Sequence, residues 1–216
     1  MNYHSSLNIY SNYMALVTPL NRYQRRKEKT RQELLAAAKK VLAEKGYHNT
    51  KIADIAVEAD IGVGTFYLYY STKEALFFEL VEETARLLKE EIDQARAQVE
   101  DLVEKIRAAN HTFFRFAQDN RELFKIVFGH GNTFNELLRQ VYATFIADAA
   151  ANVAEGIRQQ VFRPFHPDVV ANALIGMSAQ VVSWWIEQEG LSIETVAKVM
   201  TDFTLHGLAL YPAQGA

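Results

Sequence analysis

The sequence contains no cysteine, which excludes disulfide bonds and thiolate metal sites. It is also poor in proline and glycine, with 4 and 10 among 216 residues, while hydrophobic residues make up 49%. This balance disfavours turn-rich β architecture and favours helices. No apolar run approaches the roughly 20 residues of a membrane span. The first residues lack a basic segment ahead of a long apolar one, so we expect no signal peptide, no membrane association and a cytoplasmic location.

Motifs of catalysis and cofactor binding are missing as well. The six histidines are scattered, and there is no HExxH, phosphate-binding loop or Gly-x-Ser-x-Gly pattern. The run Gly62-Val63-Gly64 is a weak match to a nucleotide loop, but no strand pattern precedes it. We therefore expect no enzyme, no catalytic residue, no cofactor and no metal site.

Helical periodicity without any strand pattern predicts an all-α fold of about nine helices. The expected helices span about 28–45, 51–58, 63–70, 72–97, 101–119, 122–128, 134–162, 168–189 and 192–211. Gly46 is expected to end the first helix, and Pro164 with Pro167 to separate the seventh from the eighth.

The stretch TKIADIAVEADIGVGTFYLYYSTK, residues 50–73, has the spacing of a helix-turn-helix. Thr50 is suited to be the N-cap of the second helix. The apolar pattern breaks at residues 60–62 and restarts at Val63. Ser71, with Glu74 three residues later, predicts a capping box for the next helix. Two short helices across a tight turn, supported by a longer helix, are how many proteins present a helix to the major groove of DNA.

The net charge of −3 hides an asymmetry. Residues 1–75 hold 11 Lys/Arg against 7 Asp/Glu, whereas the remainder holds 12 against 19. The basic side chains cluster around the start of the first helix: Arg22, Arg25, Arg26, Lys27, Lys29 and Arg31. For a charge run alone a solvated helix end is an equal alternative. Next to a helix-turn-helix pattern we favour phosphate binding, which releases condensed counterions.

The run from residue 45 to residue 80 resembles the DNA-binding domain of the TetR/AcrR family of transcriptional regulators. The matching positions are Gly46, Tyr47, Thr50, Ile55, Ala56, Gly64, Thr65, Tyr67, Tyr69 and Lys73. The resemblance covers about residues 25–80, and many positions agree in order and spacing. Asp60 stands where the family often has glycine, but aspartate tolerates the left-handed conformation better than most residues.

The resemblance implies an N-terminal helix-turn-helix domain followed by a helical effector-binding and dimerisation domain. We expect a flexible extension at 1–21, the DNA-binding domain at 22–72 and the second domain at 73–216. The implied function is a ligand-responsive regulator, usually a repressor, that binds a palindromic operator in double-stranded DNA as a homodimer. The expected DNA-binding residues are Thr50 and Lys51, at a helix N-terminus that favours phosphate, and Val63, Gly64, Thr65, Tyr67, Leu68, Tyr69 and Lys73, at matching positions of the family. Lys73 matches the lysine with which the family contacts phosphate.

The third predicted helix has an unusual composition for a reading helix. Residues 62–70 contain no Arg, Lys, Asn or Gln, the side chains best suited to bidentate recognition of bases. Our hypothesis is that specificity depends on contacts to thymine methyl groups, on hydroxyl groups and on DNA shape.

The eighth and ninth helices are amphipathic, and their family counterparts form a four-helix dimer interface. Their apolar residues include Trp184, Trp185, Met200 and Phe203. Each of them alone is more often an ordinary core residue. A homodimer is nevertheless expected, because a two-fold partner supplies a second half-site about 34 Å away.

Helices five to eight carry many aromatic residues, which usually pack in a core but together can line a cavity. The expected ligand-binding residues are Asn110, His111, Phe114, Phe128, Tyr142, Phe145, Met177, Gln180 and Trp184, with Arg115 as a further polar candidate. The resemblance implies a small-molecule effector. We expect a bulky lipophilic molecule such as an acyl-CoA or an aromatic compound.

Two questions stay open at this stage. A helical adaptor or structural protein without DNA binding is the alternative function, and it predicts no salt-dependent affinity for duplex DNA. Residues 1–21 form a flexible arm, or the natural start is Met14. In an arm, Arg22 and Arg25 are placed to enter a minor groove, as basic arms do in other DNA-binding folds.

Overall fold

The computed structural model describes residues 21–129, 135–188 and 190–208, and these residues form nine helices and no β-strand. The helices are α1 Arg22–Asn49, α2 Ile52–Glu58, α3 Val63–Phe66, α4 Lys73–Ala97, α5 Leu102–Asp119, α6 Arg121–Gly129, α7 Asn135–Arg158, α8 Pro167–Trp185 and α9 Ile193–Leu208. The predicted all-α fold is confirmed. The predicted extension at 1–21 and the predicted end of the ninth helix near residue 211 fall almost wholly outside the described residues.

The first helix begins six residues earlier than predicted because Asn21 caps it. The Asn21 side chain accepts a hydrogen bond from the Gln24 amide (2.8 Å), and the Gln24 side chain accepts one from the Asn21 amide (2.9 Å). This reciprocal pair is a capping box with asparagine and glutamine in its two positions. At the other end, Gly46 interrupts the helix with φ 72° and ψ 165°, and a last turn continues to Asn49.

Three other helices end earlier than predicted, and one of them is α8, which stops at Trp185 rather than residue 189. The regular part of α3 stops at Phe66 rather than residue 70, and residues 67–69 continue as turns in which the Tyr69 amide donates to Phe66 (2.9 Å). The seventh helix stops at Arg158 rather than residue 162. There Gln160 has a positive φ of 60°, and the amides of Val161 and Phe162 both donate to the Gly156 carbonyl. These bonds satisfy one of the carbonyls that a helix end leaves free.

Two hydrophobic clusters organise the molecule. The first joins α1, α2, α3 and α4 with α6 and the start of α7, and it includes the fully buried Leu34, Ile55, Phe66 and Phe77. The second joins α4, α5, α6, α8 and α9, and its buried members include Leu88, Phe114, Val182, Trp185 and Met200. The long helix α4 contributes to both clusters, so it connects the helix-turn-helix to the rest of the bundle. Within the described residues, no helix is long and apolar enough to cross a lipid bilayer.

The backbone at Gly46 generates a testable expectation. Its φ and ψ fall in a region that is essentially restricted to glycine, where other residues are strained by about 1–3 kcal/mol. We predict that Gly46→Ala lowers the free energy of unfolding by that amount in chemical denaturation. Glu44→Ala, an exposed change in the same helix, should stay within about 0.5 kcal/mol of the parent. Equal stability of the two variants would contradict the assignment.

Candidate nucleic-acid interface and ligand cavity

The start of α2 is capped by Lys51 and not by Thr50 as predicted. The Lys51 amide donates to the Asp54 carboxylate (2.9 Å), which also pairs with Lys45 (2.9 Å). These bonds, with Lys45 making the larger contribution, hold the pKa of Asp54 below its ordinary value of 3.8. Thr50 is only 2% exposed, and its hydroxyl donates to the Gly46 carbonyl (2.7 Å). The Thr50 hydroxyl, which was expected to cap α2, therefore donates to a carbonyl at the end of α1 instead.

The turn between α2 and α3 has the geometry that the sequence predicts. Asp60 adopts the left-handed conformation with φ 53°, as expected from its tolerance of that region. The amide of Ile61 then donates to the Ala56 carbonyl (3.0 Å), which closes the end of α2. The chain can therefore reverse without glycine at position 60.

The α3 segment presents an apolar ridge to solvent. Leu68 is 77% exposed, Tyr67 55% and Val63 43%, and Gly64 is exposed beside them. Phe66 points the other way and is fully buried. Val63 and Tyr67 are four residues apart, as are Gly64 and Leu68, so each pair lies on one side of this turn.

The remaining residues near this ridge fall into two groups. Thr65 and Tyr69 are half-buried at its flanks, and Lys51 is exposed at the start of α2. Val57, which the sequence analysis did not single out, is 79% exposed on α2. The sequence gives no signal that Val57 is exposed, because a valine within an apolar pattern is expected to be buried. Thr50 is the one predicted DNA contact whose side chain the structure buries.

The Lys73 side chain is partly exposed and also bonds to backbone carbonyls of its own chain. Its ammonium donates to the carbonyls of Tyr47 (2.7 Å) and Thr50 (2.8 Å) and lies 4.4 Å from the centroid of the Tyr47 ring. An ammonium group has three donors, so one remains for a phosphate. Lys73 thus fixes the segment between α1 and α2 in addition to its predicted contact.

The predicted capping box of Ser71 with Glu74 is wrong. The N-cap of α4 is Thr72, whose hydroxyl accepts a hydrogen bond from the Ala75 amide (3.1 Å). The Glu74 carboxylate instead accepts a hydrogen bond from the Tyr47 hydroxyl (3.0 Å). Bonds to its own backbone and to that hydroxyl keep the pKa of Glu74 low. Tyr47 is therefore held at its ring, its carbonyl and its hydroxyl by the first turn of α4.

The basic start of α1 divides into two parts. The first four basic residues, Arg22, Arg25, Arg26 and Lys27, are exposed. In contrast, Arg31 bonds to Glu28 on its own helix and to Glu79 on α4. The hydrogen bond to Glu28 is the main cause that raises the pKa of Arg31. Arg31 therefore ties α1 to α4, and the phosphate-binding candidates are the residues before it.

A cavity of about 220 Å³ lies between α4, α5, α6, α7 and α8. Its walls are mostly apolar and include the rings of Phe113, Phe116, Phe124, Phe128, Tyr142 and Phe145. Burial raises the pKa of Tyr142 to about 12, so its phenol stays protonated and neutral. The cavity is thus suited to a lipophilic molecule.

Four of the nine predicted ligand-binding residues line this cavity: Asn110, Phe128, Tyr142 and Phe145. The other five do not. Phe114 is fully buried, with its ring edge-on to Trp185 at 5.5 Å between centroids. Met177 packs against the second hydrophobic cluster. Exposed on the outside are His111, Gln180 and Trp184, the last at 52%. Arg115 is also outside, where it pairs with Glu91 (2.7 Å).

The charged residues of the cavity were missed by the sequence analysis, whereas the polar Asn110 was predicted. Lys89 on α4 pairs with Asp93 (3.1 Å) and with Asp148 on α7. Arg96 on α4 donates to the side-chain oxygen of Asn152 on α7 (2.6 Å). The available signal was the spacing of Lys89, Asp93 and Arg96, which are four and three residues apart and share one helix face. Charged residues at such spacing usually face solvent, so the pattern alone does not indicate a cavity.

Comparison with known proteins gives matches over both parts of the chain. A family model described as bacterial regulatory proteins, tetR family, matches residues 34–80. A second, described as tetracyclin repressor-like, C-terminal domain, matches residues 99–208. An uncharacterized HTH-type transcriptional regulator of Haemophilus influenzae is 30% identical over 132 residues, which cover 61% of this chain and 64% of that relative. The match thus spans less than two thirds of the relative's length.

Solved structures share the fold at low sequence identity. A putative TetR-family transcriptional regulator from Syntrophomonas wolfei has a TM-score of 0.73 at 23% identity, covering 82% of this chain and 94% of that one. The transcriptional regulator FadR from Bacillus subtilis, in complex with stearoyl-CoA, has a TM-score of 0.71 at 18% identity, covering 82% and 98%. These likenesses show a shared fold over 82% of this chain.

The contacts of Lys73 lead to a prediction about duplex binding. We expect Lys73→Met to weaken binding to every DNA sequence and to flatten the dependence of log affinity on log salt by about 0.9, the value for one phosphate. The melting temperature should also fall, because the Tyr47 and Thr50 carbonyls lose their donor. Binding is therefore measured at a temperature where circular dichroism shows the variant folded. Lys105→Met removes the same charge from α5 and should leave the slope unchanged. A folded Lys73→Met protein with the parental slope would refute the phosphate contact.

Proposed function

This chain belongs to the tetR family of bacterial regulatory proteins, and we propose that it is a repressor that binds a palindromic operator as a homodimer and leaves it when a lipophilic effector enters the cavity. Membership of the family makes it a transcription regulator that binds DNA through its helix-turn-helix and is not an enzyme. As a regulator of bacterial operators it acts in the cytoplasm, where the DNA lies.

The observation that carries the DNA-binding proposal is the exposed ridge of Val63, Tyr67 and Leu68. A monomeric protein in water gains nothing by exposing three large apolar side chains on one short turn, whereas contact with base edges buries them. Lys51 and Lys73 stand at the helix starts on either side of α3 in the sequence and supply the cations for phosphates. An adaptor without DNA binding offers no reason for this combination.

We propose that the ridge reads thymine methyl groups. Its side chains offer apolar contact and the Tyr67 hydroxyl, and they cannot form the bidentate bonds by which arginine recognises guanine or asparagine recognises adenine. The operator should therefore contain A·T pairs at the positions facing α3. Indirect readout of DNA shape would add to this specificity.

The homodimer is proposed to form through α8 and α9. Both helices expose an apolar stripe: Val169 (66%) and Trp184 (52%) on α8, and Val199 (59%) and Phe203 (67%) on α9. Other residues expected at this face, including Trp185 and Met200, are instead buried in the chain's own core. The exposed stripes are therefore available to a partner. A second copy of this chain would cover them symmetrically and would bind the second half-site of the operator.

The effector is proposed to occupy the cavity beside α4. FadR of Bacillus subtilis, which shares the fold, was crystallised with stearoyl-CoA, and this supports a ligand with an acyl or aromatic body. The same helix begins at Lys73, beside the helix-turn-helix, and lines the cavity from Val81 to Arg96. A molecule that displaces α4 from α7 would therefore also shift the DNA-binding end.

The operator proposal is tested with genomic fragments selected by the protein at low ionic strength. Within the operator so defined, we replace single thymines by uracil, which removes only the methyl group. Each contacted methyl should contribute about 0.8 kcal/mol, so its loss should weaken binding roughly three- to fourfold. Leu68→Ala should bind more weakly and lose this sensitivity at one position in each half-site.

Two controls accompany this experiment. Uracil placed outside the half-sites should have no effect, and Leu87→Ala, at an exposed leucine of α4, should behave like the parent. Failure to shift any genomic fragment would eliminate the regulator proposal and favour the adaptor. A dominant guanine contact from α3 would eliminate the thymine hypothesis alone.

The dimer proposal is tested by sedimentation equilibrium. We predict that Phe203→Arg shifts the protein from dimer to monomer by at least tenfold in dissociation constant, because it places a charge in an apolar interface. Operator affinity should fall with it, since a single half-site binds weakly. The matched control is Leu87→Arg, which also adds a charge at an exposed apolar residue but lies outside α8 and α9. This interface would be contradicted if Phe203→Arg and Leu87→Arg weaken the dimer equally, or if neither variant weakens it.

A further inference from the structure

The shape of the cavity narrows the chemistry of the effector, an inference that rests on the function proposed above. Its lining extends from Val81 to Arg96 on α4 and from Leu138 to Asn152 on α7. At 1.5 Å per residue both walls are about 20 Å long. The volume of about 220 Å³ is nevertheless below the roughly 300–1,000 Å³ of pockets for drug-sized ligands. A long cavity of small volume fits a slender chain better than the bulky molecule expected from the sequence.

The two ends of the cavity differ in polarity. Around Val81 the neighbouring side chains are Leu123, Val127 and Leu138, all members of or packed against the first hydrophobic cluster. From the middle of the wall to its far end, α4 carries the charged Lys89, Asp93 and Arg96, and α7 carries Asp148 and Asn152. A ligand lying along the cavity therefore has its apolar body towards α6 and a polar group near Arg96.

The charges at the polar end are unequally compensated. Lys89 contacts two carboxylates, Asp93 at 3.1 Å and Asp148. These contacts, chiefly the bond to Asp148, raise the pKa of Lys89 and keep it charged. Arg96 bonds to the neutral side-chain oxygen of Asn152 and forms no ion pair with any described residue. A guanidinium has five donors in a planar fork, so enough remain to bind a carboxylate through both oxygens.

We infer that the effector is a slender amphipathic monocarboxylate whose carboxylate pairs with Arg96 beside Asn152. A cationic head would lie beside the cations of Lys89 and Arg96, and the two carboxylates at this end are already paired with Lys89. A head with several phosphates, as in an acyl-CoA, carries more charge than the remaining donors of one guanidinium can pair and more bulk than a cavity of about 220 Å³ admits. The structure thus favours a free carboxylate over its CoA thioester.

The test compares four ligands with one chain length on the full-length protein: dodecanoate, dodecanol, dodecylamine and dodecanoyl-CoA. Calorimetric titration should show that the parent protein binds dodecanoate most tightly. Arg96→Gln should weaken dodecanoate about 10- to 100-fold, as expected for bonds between charged groups, and change dodecanol less than twofold. Arg96→Lys should recover part of the affinity, because it restores the charge without the planar fork.

Arg115→Gln is the matched control, because Arg115 pairs with Glu91 on the outside of the bundle and does not line the cavity. It should leave all four affinities unchanged. The inference is overturned if Arg96→Gln weakens dodecanol as much as dodecanoate, if the amine or the CoA thioester binds the parent most tightly, or if dodecanoate does not bind.

Operator release, measured separately by fluorescence anisotropy of labelled DNA, distinguishes this inference from the proposed function. If dodecanol releases the operator as well as dodecanoate does, the effector response stands and only the carboxylate is wrong. If the protein binds its operator and none of the four ligands releases it, the repressor stands and the monocarboxylate effector is wrong. If it binds no operator at all, the proposed function itself fails.

Discussion

One continuous helix determines how the two parts of this molecule relate to each other. The 25 residues of α4 span about 37 Å. Leu76 and Phe77, in its first turn, are fully buried against the helix-turn-helix, and Leu88 lies in the second cluster with Phe114 and Trp185. Close-packed side chains of this kind transmit displacement instead of absorbing it. The position of the DNA-facing residues therefore depends on the bundle. They pack against one end of α4, and the other end of α4 lines the cavity.

The reading segment depends on this support more than most recognition helices do. With four residues, α3 is far too short to be stable as an isolated helix. Its position follows from the burial of Phe66 and from the clamp of Lys73 and Glu74 around Tyr47, which fixes the chain that leads into α2. The exposed ridge is thus held by contacts on the opposite side of the same turn. This arrangement explains how an apolar, weakly helical segment can be presented in one orientation.

The sequence predicts the helices of this protein better than it predicts their ends. The long helices were found because each carries an apolar stripe with helical spacing, and Asp60 was correctly accepted as a turn residue. The ends were wrong where neighbouring groups compete for one partner. Ser71 and Thr72 are adjacent hydroxyls, either of which can cap α4, and only the backbone path selects Thr72. Thr50 likewise had two possible partners, an amide at the start of α2 and the Gly46 carbonyl at the end of α1, and its hydroxyl donates to the carbonyl.

The cavity shows a second kind of limit. Aromatic residues on α6 and α7 were located correctly, because apolar side chains on an inner stripe must face the bundle. Trp184 was misplaced, since apolarity gives no information on whether a side chain faces its own core or a proposed partner. Lys89 and Arg96 were missed for the opposite reason. A charged side chain on a helix is expected to face solvent. Only the three-dimensional structure shows that Lys89 and Arg96 contact α7.

The same cross-links suggest why a small ligand can act on DNA binding. Lys89–Asp148 and Arg96–Asn152 join α4 to α7, and α7 packs mainly against α8, which carries part of the proposed dimer face. A ligand shifts a conformational equilibrium only by its difference in affinity between the two states. If its carboxylate competes for Arg96, that difference includes the bond between α4 and α7.

In a two-fold dimer, α4 of each subunit would tilt relative to a fixed α8. The two tilts would add, and the distance between the reading segments would change by twice the movement of one. Since the operator half-sites are fixed by the DNA repeat, the liganded dimer would then match at most one of them well.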